Sequence, residues 1–252
     1  MKDAFISDLD NTLIYSYKKN IGEDTINVEV YEGREISFMT RSSYEALCEL
    51  GKHICFIPLT TRSLKQFQRI NFGRSQPKYA LTSNGGTLLV DGVEDEKFKK
   101  DSLELIQPAL PEMEKARKIL GKDKNLILDI YLVDDFFLYS KSKLPTDSLE
   151  NLKDKINLDE VSLLQNGEKI YVIPKKLNKG TAVTRVKEYL KLERIIAAGD
   201  SLFDIPMLEA ADIAFSPSHL HHLGKQKPQW LAAEEDIVFS DYIFKHMIDF
   251  MV

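Results

Sequence analysis

Short apolar runs alternate with amphipathic stretches over most of the chain. Ala4-Phe5-Ile6-Ser7, Ile54 to Leu59, Tyr79-Ala80-Leu81, Arg194 to Ala198, Ile213-Ala214-Phe215 and Ile237-Val238-Phe239 read as strands. Their near-continuous apolar character fits burial on both faces of a sheet. Between them, Arg41 to Leu50, Ser63 to Ile70, Thr181 to Leu192 and Ile205 to Ala211 carry apolar positions at helical spacing. Strands separated by helices predict a parallel, doubly wound α/β sheet.

The middle of the chain has a different rhythm. Leu126 to Tyr139 alternates and is interrupted by Asp134-Asp135, a turn signal. Val161 to Leu164 and Lys169 to Ile173 flank Gln165-Asn166-Gly167, which reads as a hairpin. Helices are predicted over Leu103 to Leu120 and Ser148 to Ile156. Locally paired strands with helices form an α+β insertion within the parallel domain. A further hairpin is predicted within Ile21 to Phe38, directly after the first strand. It reads either as a surface loop or as a flap over whatever site that strand end builds.

Composition narrows the class. Hydrophobic residues are 43% and charged residues 29% of 252, the proportions of an ordinary globular chain. The 34 basic against 39 acidic residues leave a net charge of −5. No basic field exists to hold a nucleic-acid backbone. No apolar run approaches the roughly 20 residues of a membrane span, and the opening residues have no signal-peptide pattern. Cys48 and Cys55 cannot build a disulfide framework and read as thiols of a reducing cytoplasm.

Candidate chemistry falls at the C-terminal ends of the predicted strands, where open α/β sheets hold their ligands. Asp8-Leu9-Asp10-Asn11-Thr12 places two carboxylates two positions apart. Close carboxylates repel one another unless a cation sits between them, and Mg²⁺ is the natural hard partner. The plainer reading is a polar turn. Gly199-Asp200-Ser201-Leu202-Phe203-Asp204 adds two carboxylates after another strand, with Asp204 also suited to capping the next helix. Thr60-Thr61-Arg62 offers a hydroxyl and backbone amides for a phosphate oxygen, or a helix cap. Lys179 opens a helix, where the macrodipole favours anions. It reads either as a surface lysine or as the partner of an anion.

Taken in order, these four segments resemble the motifs of the haloacid dehalogenase superfamily: DxDxT, a Thr or Ser after the second strand, a Lys, then GDxxxD. Ser83-Asn84-Gly85-Gly86 resembles the SNG signature of its Cof-type sugar phosphatases. The inserted α+β segment resembles their class II cap, and Ser7 to Thr12 resembles the opening of the sucrose-phosphatases. The resemblance implies a Rossmann-like three-layer α/β/α core over 1–86 and 175–252, and a cap over 87–174 that closes over it. It implies a Mg²⁺-dependent phosphatase of a small phosphorylated metabolite, a sugar or polyol phosphate, with no nucleic-acid or membrane partner. Asp8 is then the nucleophile forming an aspartyl-phosphate. Asp10 is the general acid and base, Thr60 grips a phosphoryl oxygen and Lys179 neutralises charge. Mg²⁺ is held by Asp8, the Asp10 carbonyl and Asp200, with Asp204 binding it either directly or through another of its ligands. Thr61, Arg62, Asn84 and Gly85 line the substrate. Three positions depart from the family pattern: Asn11 and Thr61 replace glycines, and Phe203 replaces an asparagine. A phosphomutase using the same Asp8, or a ligand-binding relative without turnover, are the alternative functions.

Overall fold

The computed structural model describes residues 2–225, 229–234, 236–247 and 250. The chain divides into two compact units, Met1–Glu94 with Lys179–Val252, and Asp95–Asn178.

The first unit opens with β1 (Asp3–Ser7), followed by β2 (Tyr15–Ser16), β3 (Thr25–Tyr31), β4 (Arg34–Thr40) and α1 (Arg41–Leu50). It continues through β5 (Cys55–Pro58), the short α2 (Leu64–Phe67), β6 (Tyr79–Thr82), β7 (Thr87–Val90) and β8 (Val93–Glu94). The second unit contains α3 (Glu96–Ile106), α4 (Leu110–Leu120), β9 (Leu126–Val133), β10 (Phe137–Ser142), α5 (Pro145–Lys153), β11 (Val161–Asn166) and β12 (Lys169–Pro174). The chain then returns to the first unit with α6 (Lys179–Leu190), β13 (Arg194–Ala198), α7 (Ile205–Ala210), β14 (Ile213–Pro217), α8 (Ser218–His221), β15 (Trp230–Ala233) and α9 (Phe239–Met247).

The central sheet of the first unit has the order β15-β14-β13-β1-β5, with every neighbouring pair parallel. Ala4, Phe5, Ile6, Ile195, Ile196 and Ala197 are fully buried, because a central parallel strand is covered on both faces. One face carries Phe5, Ile196, Ile213 and Phe215, packed with Leu47 of α1 and Ile243, Phe244 and Met247 of α9. Alternation turns the intervening residues to the opposite face, where α7 packs against β13 and β14 and against α6. The second unit pairs its strands antiparallel in the order β11-β12-β10-β9. Leu138, Ile170 and Val172 of that sheet bury against Met113, Ala116, Leu149 and Leu152 of its helices.

Most predicted elements occur within one or two residues, and the differences have identifiable causes. The units meet at 94/95 and 178/179 rather than at 86/87 and 174/175. The reason is that β7 folds back antiparallel on β6 and β8 on β7, so this meander stays with the core. The helix predicted over Leu103 to Leu120 is two helices broken by a 3₁₀ turn at Gln107–Ala109. Pro108 and Pro111 lack the amide hydrogen a continuous helix needs. The strand predicted at Ile237-Val238-Phe239 is a turn leading into α9. Three apolar residues do not separate a strand from a helix start, and Phe239, Ile243, Phe244 and Met247 recur at helical spacing on the buried side.

The predicted hairpin is a three-stranded sheet, β2-β4-β3. The register between β3 and β4 shifts on either side of Glu29, with Val28 the extra residue on β3 and Ile36 the extra residue on β4. In an unbroken strand Val28 and Glu29 would face opposite sides. The extra residue of a bulge re-aims one of them, so both are buried while Val30 is half exposed. Val28 joins the apolar core. Glu29 turns toward the segment after α2, forming a bridge to Ile70, while the Asn71 amide donates to the Val28 carbonyl.

Candidate active site

Asp8 follows β1 directly, and its backbone amide donates to the Ala198 carbonyl at the end of β13. The neighbouring strand therefore brings the 199–204 loop beside it. Lys179, the first residue of α6, completes the cluster. Its Nζ lies 2.5 Å from Asp8 Oδ1 and 2.5 Å from Asp204 Oδ1. Lys179 and Asp204 are buried, and Asp8 nearly so. The lysine is thus no surface residue. A buried ammonium between two carboxylates is a neutralising group.

Asp204 accepts on its other oxygen from the Asp200 amide at 3.1 Å, the Ser201 amide at 2.9 Å and the Ser201 hydroxyl at 2.7 Å. With both oxygens engaged, it orients Lys179 and closes the loop. A Cβ at Gly199 would lie 2.3 Å from Asp204 Cβ, so only glycine lets the aspartate fold back this closely. Asp200 accepts from the Thr12 hydroxyl at 3.1 Å. Asp8, Asp200 and Asp204 each offer an oxygen within 4.8 Å of the others'.

The electrostatics follow from this crowding. Burial raises the Asp8 carboxyl well above its ordinary range, Lys179 opposes that rise, and Asp204, Asp200 and Asp10 add to it. Burial and then Asp204 push Asp200 up to about 7, against the pull of Lys179 and the Thr12 hydrogen bond. Burial works against the Lys179 charge, but Asp204 and Asp8 outweigh it and hold the amine as an ammonium. Three carboxylates facing one ammonium leave negative charge for a further cation, and the donors are oxygens, the set a hard divalent ion takes. Asp8 and Asp200 have oxygens to offer it. Those of Asp204 are already taken.

The other predicted residues occupy the rim. Asp10 is half exposed, and its carboxylate is gripped side-on by Arg62, Nε to Oδ2 at 2.8 Å and Nη2 to Oδ1 at 2.7 Å. Thr60 is buried, and its hydroxyl accepts from the Arg62 amide at 3.1 Å. Thr61 is half buried in the same turn. The Ser83 amide donates to the Arg62 carbonyl and the Asn84 amide to the Thr60 carbonyl, so the two loops are tied together. Asn84 is buried with a positive φ of 60°. Gly85 has a φ of +88°, and a Cβ there would lie 2.2 Å from Ala182 Cβ of α6. Its close approach seats the helix that carries Lys179. Gly85→Ala is therefore expected to destabilise the fold by at least about 1–3 kcal/mol. At about 2–4 °C per kcal/mol, this is a fall in melting temperature readable by calorimetry.

Glu29 is the residue that sequence reasoning missed. Its side chain is fully buried, yet it accepts from Arg62 Nη1 at 2.9 Å, Arg69 Nε at 3.0 Å and the Ser37 hydroxyl at 2.7 Å. Alternation gives no sign of it, because the bulge decides its direction.

The comparisons agree with this architecture. The family model for haloacid dehalogenase-like hydrolases matches residues 78–216, more than half of the chain. The protein belongs to that family. The matched segment contains Lys179, Asp200 and Asp204. Asp8, Asp10 and Thr60 precede it. Among curated proteins no sequence matches. Among solved structures, the sucrose-phosphatase of Synechocystis sp. PCC6803, in complex with sucrose and phosphate, is 20% identical with a TM-score of 0.68 over 99% of this chain and 98% of that one. The subclass IIB sugar phosphatase BT4131 is 15% identical, TM-score 0.64, covering 99% and 100%. Aspergillus fumigatus trehalose-6-phosphate phosphatase is 13% identical, TM-score 0.56, covering 98% and 93%. At these identities the likeness is one of fold. Among the described residues, no helix is long and apolar enough to cross a membrane.

Proposed function

We propose that the protein is a phosphatase that hydrolyses a small phosphorylated sugar or polyol through an aspartyl-phosphate at Asp8, with Mg²⁺ as cofactor. The observation that carries this reading is the buried Lys179 ammonium bridging Asp8 and Asp204, with Asp200 alongside.

The residues divide the reaction between them. An Asp8 oxygen attacks phosphorus, and the bond from phosphorus to the ester oxygen breaks. Lys179, fixed as an ammonium, neutralises negative charge on the phosphoryl oxygens during the attack and on Asp8 when the phosphoenzyme is hydrolysed. Asp10 gives its proton to the leaving oxygen. A water then attacks phosphorus, Asp10 takes its proton, and the bond to Asp8 breaks to release phosphate. Thr60 and the amides of its turn bind phosphoryl oxygens. Mg²⁺, held by Asp8 and Asp200 with the Asp10 carbonyl, would supply positive charge to the phosphoryl group. Asp204 serves by holding Lys179 and the loop.

The inserted unit Asp95–Asn178 carries a surface of its own that suits a sugar. A row of Tyr131, Tyr139 and Tyr171 crosses neighbouring strands of its sheet, the last two with ring centroids 5.4 Å apart. Such rings suit the apolar faces of a sugar. The neighbours crystallised with sucrose and phosphate or named for trehalose 6-phosphate support the same substrate class.

Phosphate release from a panel of sugar phosphates and p-nitrophenyl phosphate tests the reading, with Mg²⁺ and with EDTA. Release that requires metal supports it. A folded, Mg²⁺-binding protein silent across the panel counts against it.

The cofactor can also be tested without turnover. Asp200 titrates near 7 in the folded, metal-free protein and near 3.9 when unfolded. Below about pH 4 both forms hold the proton, and there is no contribution. Between about 4 and 7 only the folded form holds it, so metal-free stability falls as pH rises, by up to roughly 1.4 kcal/mol per unit. Mg²⁺ displaces that proton. Its stabilising effect in thermal unfolding is therefore expected to be larger at pH 8 than at pH 5. Asp200→Asn is expected to flatten the metal-free pH dependence over the same window.

A further inference from the structure

We infer that Glu29, contributed by the extra sheet after β1, is a positioning residue that sets the direction of the Asp10 carboxylate through Arg62. The inference rests on the general acid and base role proposed for Asp10.

The side chains form one relay from the interior outward. Glu29 is fully buried, and its two oxygens divide between Arg62 Nη1 at 2.9 Å and Arg69 Nε at 3.0 Å, with the Ser37 hydroxyl at 2.7 Å. Arg62 is itself only 13% exposed, against 51% for Asp10. An exposed aspartate on a loop ordinarily samples several rotamers. Here the planar guanidinium spends its Nε and Nη2 on both Asp10 oxygens, fixing the direction of the carboxylate as well as its location. The remaining nitrogen, Nη1, is pinned by Glu29, so the fork cannot rotate. Arg69 balances the second half of the Glu29 charge and stacks its guanidinium 4.5 Å from the Tyr31 ring centroid. The bulge that turns Glu29 inward has no core-packing purpose at that position, since Val28 already supplies the apolar contact. Two arginines meeting a buried carboxylate two elements away from Asp8 is an arrangement built for orientation. Proton transfer to a leaving oxygen depends steeply on such orientation.

Leaving-group dependence tests the inference. p-Nitrophenolate departs with little need of a proton, whereas phenolate departs poorly without one. Steady-state kinetics on p-nitrophenyl phosphate and phenyl phosphate compare wild type, Glu29→Gln, Arg62→Lys, Asp10→Asn and the Glu29→Gln/Asp10→Asn double variant. Glu29→Gln is expected to lower kcat/KM, which reports phosphoenzyme formation, by about 10–100-fold on phenyl phosphate and by less than about threefold on p-nitrophenyl phosphate. In the Asp10→Asn background it adds no further loss, because the two residues act as one unit. Arg62→Lys keeps the charge but loses the fork, and is expected to reproduce the pattern. It carries the test if circular dichroism shows Glu29→Gln to be unfolded. Equal losses in kcat/KM on both substrates, or additive losses in the double variant, overturn the positioning role while leaving the phosphatase reading intact. A wild type that releases phosphate from neither these esters nor any sugar phosphate of the panel overturns both.

Discussion

Asp8→Asn is expected to abolish turnover, by at least about four orders of magnitude in kcat, without unfolding the protein. An amide cannot form the phosphoenzyme bond, and residues acting as a covalent unit lose nearly all of their effect when the nucleophile goes. The structural side of the prediction is less usual. Asp8 sits buried with Asp200 and Asp204, and its charged form is disfavoured by burial and by those neighbours. Replacing it with a neutral isostere relieves that crowding, while Asp204 still pairs with Lys179 at 2.5 Å. The metal-free melting temperature is therefore expected to hold or rise, and the extra stability gained from Mg²⁺ to shrink. Phosphate-release assays and thermal unfolding on the same preparation check both. Residual activity within tenfold of wild type would remove Asp8 from the nucleophile's place.

Lys179→Ala is expected to do the opposite to stability. The ammonium bridges two carboxylates in a site almost closed to solvent, with side-chain exposures of 1% for Lys179, 10% for Asp8 and 0% for Asp204. Removing one member of a buried ion pair leaves charge uncompensated and costs about 3–5 kcal/mol. At about 2–4 °C per kcal/mol for a chain of this size, the melting temperature falls by roughly 6–20 °C. Low pH is expected to restore part of the loss, since protonating Asp8 or Asp200 removes the repulsion. Turnover falls as well, by about 10²–10³-fold, because the charge that faces the transferring phosphoryl group is gone. Lys179→Arg keeps the charge but places a wider fork where a point charge fits between two oxygens. It is expected to recover more stability than activity. Calorimetry at pH 5 and pH 8, with kinetics on the soluble variants, separates the two effects. A surface-like response, within about 0.5 kcal/mol, would contradict the buried bridge.

Much of this protein is legible from its residues alone. Central strands such as Ala4 to Ser7 and Arg194 to Ala198 are nearly all apolar, because both faces of a parallel strand are covered, and they register in sequence as short unbroken runs. The residues predicted to be functional cluster where those runs stop, since loops at strand ends carry chemistry that a packed strand cannot. The Asp134-Asp135 and Asn166-Gly167 turns are equally plain, as few residues accept their backbone angles. In the structure Asp134, Asp135 and Gly167 take positive φ.

Other features depended on the folded chain. Lys179 is 171 positions from Asp8, and only the neighbouring placement of β1 and β13 with α6 tells a buried bridge from an ordinary surface lysine. Asp204, which as a sequence looks like a helix cap or a metal ligand, has both oxygens consumed by Lys179, Ser201 and backbone amides. Arg62, which reads as an anion-binding residue, is occupied by Asp10 and Glu29. Ile237 to Phe239 has strand-like residues but starts a helix, because the apolar face of α9 is needed against the core. Glu29 is the clearest case. Side-chain direction along a strand has a period of two, so one extra residue in β3 re-aims the side chains beside it, and a compensating irregularity in β4 restores the pairing from Val30 onward. The sequence determined the α/β architecture and the placing of carboxylates at the ends of its central strands. The tertiary structure decided which charges meet, because those meetings depend on strand neighbours and on one bulge that no local pattern of residues encodes.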